Sequence, residues 1–160
     1  MIRRLCFAFM LCSSTPAFAL SCLAPEVARS YDRFAADPAD YVIVRGRISL
    51  EGKLPRALSP SQSFPDVTLV PARLVGKSLT QEGFRLPFDK ELTLEVSCLG
   101  PWCGSLADGE DVLAFVRRSE GAYYLAVPPC GGSAFGAPKA AQIKRVKLCH
   151  QRGVCPSVNE

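Results

Sequence analysis

The chain of 160 residues is long enough for one domain with a buried core, and its formal net charge at pH 7 is +4. Two of the positive charges, Arg3 and Arg4, lie in a predicted signal peptide, and their removal lowers the net charge from +4 to +2. So small a positive charge argues against a nucleic-acid partner.

Residues 1–19 predict an export signal. Arg3 and Arg4 form its charged start, residues 5–11 are an apolar run too short to span a bilayer, and residues 17–19 are a small-x-small cleavage site. Residues 20–160 then form a single predicted domain. We therefore expect a periplasmic or secreted protein.

Three alternatives stay open for the signal cleavage. Cleavage after Ala19 starts the mature chain at Leu20, whereas cleavage after Ser21 starts it at Cys22. Residues 19–22 are also a poor but permissible lipoprotein box, in which Cys22 would be acylated and the protein anchored in the envelope. We favour cleavage after Ala19, which releases a soluble protein, and we expect membrane contact only if Cys22 is lipidated.

The cysteines that remain after the signal peptide are expected to form three disulfides. The full chain has eight cysteines, of which Cys6 and Cys12 lie within the signal peptide. An even number in a small exported domain indicates a disulfide framework, with free or metal-bound thiols as the minor alternative. The remaining six are Cys22, Cys98, Cys103, Cys130, Cys149 and Cys155.

Apolar periodicity predicts five strands between two helices. Such an order favours a mainly β fold, a small, five-stranded and partly open β-barrel with an N-terminal and a C-terminal helix. The predicted elements are a helix over 24–36, strands over 41–50, 67–75, 92–96, 112–116 and 123–127, and a helix over 138–149. The residues expected on the buried sides of the helices are Tyr31, Phe34, Ile143 and Val146, and Gly153 is expected to end the second helix.

Glycines and prolines mark the irregular parts of this pattern. Gly46 in the first strand indicates a bulge or a sharp bend, and Pro71 in the second indicates an edge position or a bulge. Residues 51–66 and 131–136 predict loops. Residues 78–89 are expected to be irregular, with alternating apolar side chains that cover the mouth of the barrel.

The second half of the chain carries short motifs in a recognisable order. Cys103-Gly104 follows a strand, Gly109-Glu110-Asp111 precedes a Leu-Ala-Phe strand, and a tyrosine-bearing strand ends at Cys130. This order resembles the netrin-like OB-fold domain shared with tissue inhibitors of metalloproteinases, which also occurs in small exported bacterial proteins. The likeness covers about residues 22–149 and rests on short motifs.

The resemblance implies a disulfide pairing. In that family an N-terminal cysteine is joined to the cysteine of the Cys-Gly motif, here Cys103, and a second cysteine two residues later is joined to the one after the last strand, here Cys130. This chain has no Cys-x-Cys start, so Cys22 can pair with either Cys103 or Cys130, and Cys22–Cys130 follows if Cys98 pairs with Cys103. We prefer, among the fifteen possible connectivities, the pairs Cys22–Cys130, Cys98–Cys103 and Cys149–Cys155.

The same family includes metalloprotease inhibitors, which place the free amine and carbonyl of an N-terminal cysteine on the protease zinc. Residues 20 and 21 would block that contact after cleavage at Ala19, and acylation would use the sulfur of Cys22. Inhibition is therefore an alternative that requires Cys22 to be the free mature N-terminus.

No group of residues indicates catalysis. The only histidine, His150, lies at a helix end, and the sequence around Ser133 lacks the second glycine of a nucleophile elbow. Cys98 and Cys103 are too far apart in sequence for a Cys-x-x-Cys redox pair. We expect a protein that is not an enzyme and that needs no cofactor.

Two groups of potential metal ligands have the wrong spacing. Cys149, His150 and Cys155 do not match known zinc spacings, and a disulfide is the better interpretation of these cysteines. The acidic segment 108–111 lacks the remaining ligands of a calcium loop and is typical of a solvated turn. We predict no metal site.

Two surfaces are candidates for binding. Trp102, between two cysteines, is expected either to pack over their disulfide or to contact a partner, and one of Tyr123 and Tyr124 is expected in the core while the other belongs to a ligand surface. The last helix has a positive face suited to lipid headgroups or acidic glycans, although such faces are usually only solvated. Its cations are Lys139, Lys144, Arg145 and Lys147.

These observations favour an exported, non-catalytic, disulfide-stabilised OB-like domain that binds a protein partner in the periplasm or envelope. An envelope lipoprotein and a metalloprotease inhibitor are the two alternatives. Fold resemblance does not carry function by itself, so the partner has to be argued from surface geometry.

Overall fold

The computed structural model describes residues 21–55 and 65–156. The predicted signal peptide and most of the predicted 51–66 loop lie outside these residues. The elements are α1 (Val27–Ala36), β1 (Asp40–Leu50), β2 (Val67–Thr80), β3 (Gly83–Leu99), β4 (Trp102–Cys103), β5 (Asp111–Ser119), β6 (Ala122–Val127), β7 (Ala134–Gly136) and α2 (Ala140–Arg152).

Five of the strands form a closed ring in the order β1-β2-β3-β6-β5, with β5 pairing back onto β1. All neighbours in the ring are antiparallel except β3 and β6, which run parallel. The expectation of a mainly β, five-stranded, OB-like fold between two helices is confirmed. The two short strands β4 and β7 are additions to the prediction; they pair with β3 and β5.

The apolar side chains form two cores, one inside the ring and one outside it. Alternate residues of β5 serve both: Val112, Ala114 and Val116 pack inside the ring, whereas Leu113 and Phe115 pack outside it beneath the helices. This double burial explains why the sequence of β5 is apolar at every position from 112 to 116. The outer core fixes α1 and α2 against the ring.

Helix α1 lies on the outer core as predicted but starts three residues later than expected. The carboxylate of Glu26 accepts hydrogen bonds from the backbone N–H groups of Ala28 and Arg29, both at 3.0 Å, so Glu26 caps the helix and Val27 begins it. Phe34 stacks on Phe115 with ring centroids 4.9 Å apart. Helix α1 therefore joins β5 through aromatic contact.

Helix α2 extends beyond its predicted end at residue 149 and ends at Arg152, directly before Gly153. Gly153 has φ of 74°, the left-handed conformation that favours glycine after a helix. Val146 and Cys149 are fully buried, and Ile143 packs partly against the same core. Neither helix of the described residues is long and apolar enough to cross a membrane.

Three local predictions are wrong. Residues 78–89 are not irregular, because β2 and β3 continue to a tight turn at Gln81 and Glu82, and the alternation over 84–88 is that of a strand. Gly46 is not at a bulge: β1 pairs without a register shift on both sides of it. The 131–136 segment is a loop only as far as Ser133, since β7 follows.

Pro71 lies at a position in β2 where no backbone N–H is needed for the β1–β2 ladder. It lies inside β2, which is flanked by β1 and β3 and is not an edge strand of the ring. The paired register of β1 and β2 ends at Leu50 and Ala72, one residue short of Pro71. The prediction of an edge position therefore holds only locally, at the end of that ladder.

Candidate interaction surface

Three disulfides join the chain: Cys22–Cys130, Cys98–Cys103 and Cys149–Cys155. They are the three pairs that were preferred from the sequence. The first closes 108 residues of sequence separation and ties the segment before α1 to the end of β6, whereas the other two are local. Three disulfides indicate an oxidising compartment.

The Cys98–Cys103 disulfide holds a hairpin formed by the end of β3 and by β4. Cys98 pairs with Cys103 and Leu99 with Trp102, and Gly100, at φ of 57°, occupies the turn. The backbone N–H of Gly104 donates to the carbonyl of Ser97 at 2.9 Å. A Cβ atom at Gly104 would lie 1.8 Å from the carbonyl oxygen of Val127, so this glycine lets the hairpin rest against β6.

The hairpin completes a row of exposed apolar side chains, which we name the Trp102 face. In the β2–β3 register Val67 is opposite Ser97, so Val67 and Leu69 share the outer side of the sheet with Leu99, and Leu99 is opposite Trp102. Within residues 21–55 and 65–156, four of the eight large exposed hydrophobic residues belong to it. They are Val67, Leu69, Leu99 and Trp102, with exposed fractions of 47%, 64%, 58% and 41%.

Trp102 also lines a groove of about 930 Å³. Leu54, Pro55 and Pro101 line it together with Trp102, and Lys53 and Asp108 supply charge at its edges. Trp102 therefore borders both the groove and the apolar row. The side chain is partly exposed and lies over Gly100.

The two tyrosines of β6 separate as expected, but neither is freely exposed. Tyr123 packs partly into the inner core and meets the ring of Phe88 edge to face at 5.3 Å. On the other side of the strand, the guanidinium of Arg117 lies 4.6 Å above the Tyr124 ring and pairs with Glu95 at 2.6 Å. Tyr124 therefore contributes to an ion-pair cluster on the outer surface.

The four cationic residues predicted for one face of α2 have different surroundings in the structure. Lys144 and Lys147 line a groove between α2 and β1, where they are joined by Arg45. Arg145 instead donates a hydrogen bond to the carbonyl of Pro156. Lys139 is the residue that precedes α2, and its backbone N–H donates to Gln142 at 2.8 Å.

The residues weighed for catalysis or metal binding have structural roles. Burial lowers the pKa of His150, whose ring meets Tyr31 edge to face, and Ser133 is buried and accepts a hydrogen bond from Phe115 through its carbonyl. Asp108 accepts from the backbone of Leu50, and Asp111 pairs with Arg47. Over residues 21–55 and 65–156 no cluster of three or more potential metal ligands occurs.

Comparison with known proteins identified no similar protein. No family model, no curated protein and no solved structure matches the chain. The resemblance to netrin-like domains therefore stays a prediction. Function has to be argued from the surface itself.

Sequence analysis missed most of the Trp102 face. It singled out Trp102, whereas Val67, Leu69 and Leu99 look like ordinary strand residues in the sequence. Their exposure depends on which side of β2 and β3 faces the inner core, and on the pairing of Leu99 with Trp102. A helical or strand period alone does not carry that information. The nearest signal was Leu99, which stands between Cys98 and the turn residue Gly100.

Proposed function

We propose that this protein is an exported, non-catalytic module that binds a protein partner through the Trp102 face. The observation that carries the proposal is the alignment of four large exposed apolar side chains along one side of β2, β3 and β4. Isolated exposed hydrophobic residues are ordinary, but a contiguous apolar patch on a soluble domain is typical of an interaction site. Trp102 at its end is an anchor of the type that such sites use.

The partner that fits this face is a protein with a flat apolar surface. Val67 and Leu69 lie along the sheet and not only at the hairpin tip, so the apolar row extends over the strand surface. Glu95, opposite Leu69, is already paired with Arg117 and so adds no unpaired charge beside the row. An apolar and nearly uncharged partner surface complements it best.

The face is also held rigid before binding. The β2–β3 ladder fixes Val67 and Leu69, and the Cys98–Cys103 disulfide fixes the strand ends that carry Leu99 and Trp102. A surface that is already ordered loses less conformational entropy on binding. This preorganisation supports a binding module over a flexible connector.

The disulfides also bear on the two alternative functions, an envelope lipoprotein and a metalloprotease inhibitor. The sulfur of Cys22 is bonded to Cys130, which favours a released protein over one acylated on that sulfur. In the inhibitors that the chain resembles, the chelating cysteine is joined to the Cys-Gly cysteine, whereas here Cys103 is joined to Cys98. The ring order of the strands supports the netrin-like relationship, and the pairing of Cys103 speaks against inhibition.

Site-specific photo-crosslinking in the native host tests the proposal. A photoreactive phenylalanine replaces Trp102 in one variant and, as the matched control, Val154 in another, because Val154 is also exposed and lies away from the face. We expect one discrete crosslinked protein from position 102, absent from position 154 and lost when Leu69→Ser and Leu99→Ser are added. The purified Leu69→Ser/Leu99→Ser protein should keep its thermal unfolding midpoint within a few degrees.

The contrary outcomes are equally definite. Three outcomes would each refute a dedicated protein partner: a crosslink only to a second copy of the chain, binding to lipid vesicles that requires Trp102, or the same product from positions 102 and 154.

Intact-mass measurement of the exported protein tests the mature start of the chain and its acylation. A mature start at Leu20 without added acyl mass supports release, and a lipid-free start at Cys22 would reopen inhibition.

A further inference from the structure

A second groove, about 480 Å³ in volume, lies between β1 and α2, away from the Trp102 face. Three cationic side chains line it: Arg45 from β1, and Lys144 and Lys147 from α2. None of the residues that line it is acidic. The groove therefore presents a positive charge that its own walls do not balance.

The cations of this groove have no ion-pair partner within the described part of the chain. The ion pairs found there use Arg47, Arg73, Arg117 and Arg118. Arg45 instead lies directly opposite Lys77 in the β1–β2 register, and both side chains are exposed. Like charges directly opposite each other destabilise a sheet, so this pair costs stability unless an anion binds near it.

The stretch of sequence that contains α2 also has no acidic residue. Residues 121–159 include five lysines and arginines and not one aspartate or glutamate. A surface helix usually alternates charges of both signs, which stabilise it when they are three or four residues apart. Helix α2 lacks this compensation along its whole length.

The walls between the cations are apolar. Ile143 and Leu148 line the groove and are only partly buried, and Pro138 lies at the end near the start of α2. No aromatic ring lines it, so it offers no stacking platform for nucleic-acid bases. The combination of cations with an apolar wall matches a ligand that has a charged head and a hydrocarbon arm.

We propose that this groove binds an amphipathic anion, a phosphate, sulfate or carboxylate head that carries an alkyl arm. The head lies among Arg45, Lys144 and Lys147, and the arm lies along Ile143 and Leu148. The inference is independent of the protein partner proposed for the Trp102 face, because the two surfaces share no residue.

Calorimetric titration with alkyl phosphates below their micellar concentration tests the proposal on the full mature protein. We expect octyl phosphate to bind at least about tenfold more tightly than inorganic phosphate, because the arm buries methylene groups, and octanol to bind far more weakly than octyl phosphate. Arg45→Gln and Lys144→Gln should each weaken binding of octyl phosphate about fivefold. Lys139→Gln, an exposed cation outside the groove, is the matched control and should leave the affinity unchanged.

Three results would overturn the proposal: octyl phosphate binding no better than inorganic phosphate, equal losses in Lys139→Gln and Lys144→Gln, or no binding at millimolar concentration. Co-sedimentation with phosphatidylglycerol vesicles then identifies the source of the anion. Sedimentation that requires Arg45 and Lys144 assigns the head to a membrane lipid, and binding of free octyl phosphate without sedimentation assigns it to a soluble amphiphile. Circular dichroism confirms that each variant is folded.

Discussion

Gly46 of β1 lies directly opposite Gly76 of β2, and each occupies a position where no side chain fits. A Cβ atom at Gly46 would lie 2.3 Å from the carbonyl oxygen of Val75, and one at Gly76 would lie 2.2 Å from that of Arg45. The two strands approach each other more closely here than side chains permit. This contact is where β1 and β2 meet on the inner side of the ring.

Substitution of either glycine by alanine should destabilise the protein strongly. The added methyl group meets backbone atoms, which cannot move aside as a flexible side chain does, so we expect Gly46→Ala to lower the free energy of unfolding by about 2–4 kcal/mol. Ser49→Ala, at an exposed position of the same strand, should change it by less than about 0.5 kcal/mol. Urea denaturation measures both, and similar effects of the two substitutions would contradict the steric explanation.

The three disulfides should contribute unequally. Cys22–Cys130 closes a loop of 108 residues, whereas Cys98–Cys103 closes one of 5, and loop closure restricts the unfolded chain more when the loop is long. We expect the Cys22→Ala/Cys130→Ala protein to lose about 4–5 kcal/mol and the Cys98→Ala/Cys103→Ala protein to lose about 2 kcal/mol. Equilibrium denaturation of the two double variants gives the comparison, and an equal loss would contradict it.

We expect a larger coupling energy in the cluster of Arg117, Glu95 and Tyr124 than in an exposed surface ion pair. Both charged side chains are about two-thirds buried, and the guanidinium also lies over an aromatic ring. A double-mutant cycle with Arg117→Met and Glu95→Gln should give a coupling energy of about 1–2 kcal/mol. The same cycle for Arg47 and Asp111, which are mostly exposed, should give a clearly smaller coupling. Equal couplings would show that burial adds nothing.

His150 should make stability depend on pH between neutral and mildly acidic conditions. Burial lowers the pKa of its ring below the usual histidine value of about 6.5, so the folded protein keeps the ring neutral where the unfolded chain protonates it. As the pH falls through 6.5, the unfolded state gains a proton that the folded state does not, and stability decreases until the folded-state pKa is passed.

The measurement compares wild type with His150→Gln by urea denaturation at pH 7.5 and pH 5.5. We expect the wild type to lose more stability than the variant over this interval, because glutamine does not titrate. An identical pH dependence in the two proteins would mean that His150 has the same pKa in both states.

The positions of the five ring strands could be predicted from the sequence, whereas the surfaces that they form could not. Residues 112–116 are apolar throughout and therefore predicted a strand covered on both sides, which β5 is. Residues 78–89 were misjudged because Gly83, at φ of 108°, allows a turn so short that β2 and β3 run on without a break. Local sequence shows a turn residue but not how few residues the turn needs.

The candidate sites depended on contacts between distant segments. Lys144 and Lys147 were visible in the sequence, but Arg45 joins them only because β1 lies beside α2, a hundred residues later in the chain. Leu69 likewise becomes part of a surface only through its register with β3. Periodicity predicts which residues face a core, and tertiary packing decides which exposed residues become neighbours.

The nested disulfide pattern sets a requirement on the order of oxidation. The cysteines that follow the predicted signal peptide leave the ribosome in the order Cys22, Cys98, Cys103, and an oxidant that joins each newly exposed cysteine to the previous one produces Cys22–Cys98. The native partner of Cys22 follows 32 residues after Cys98 in the sequence. A chain oxidised from its N-terminus therefore needs either a thiol–disulfide isomerase or a delay until β6 is complete.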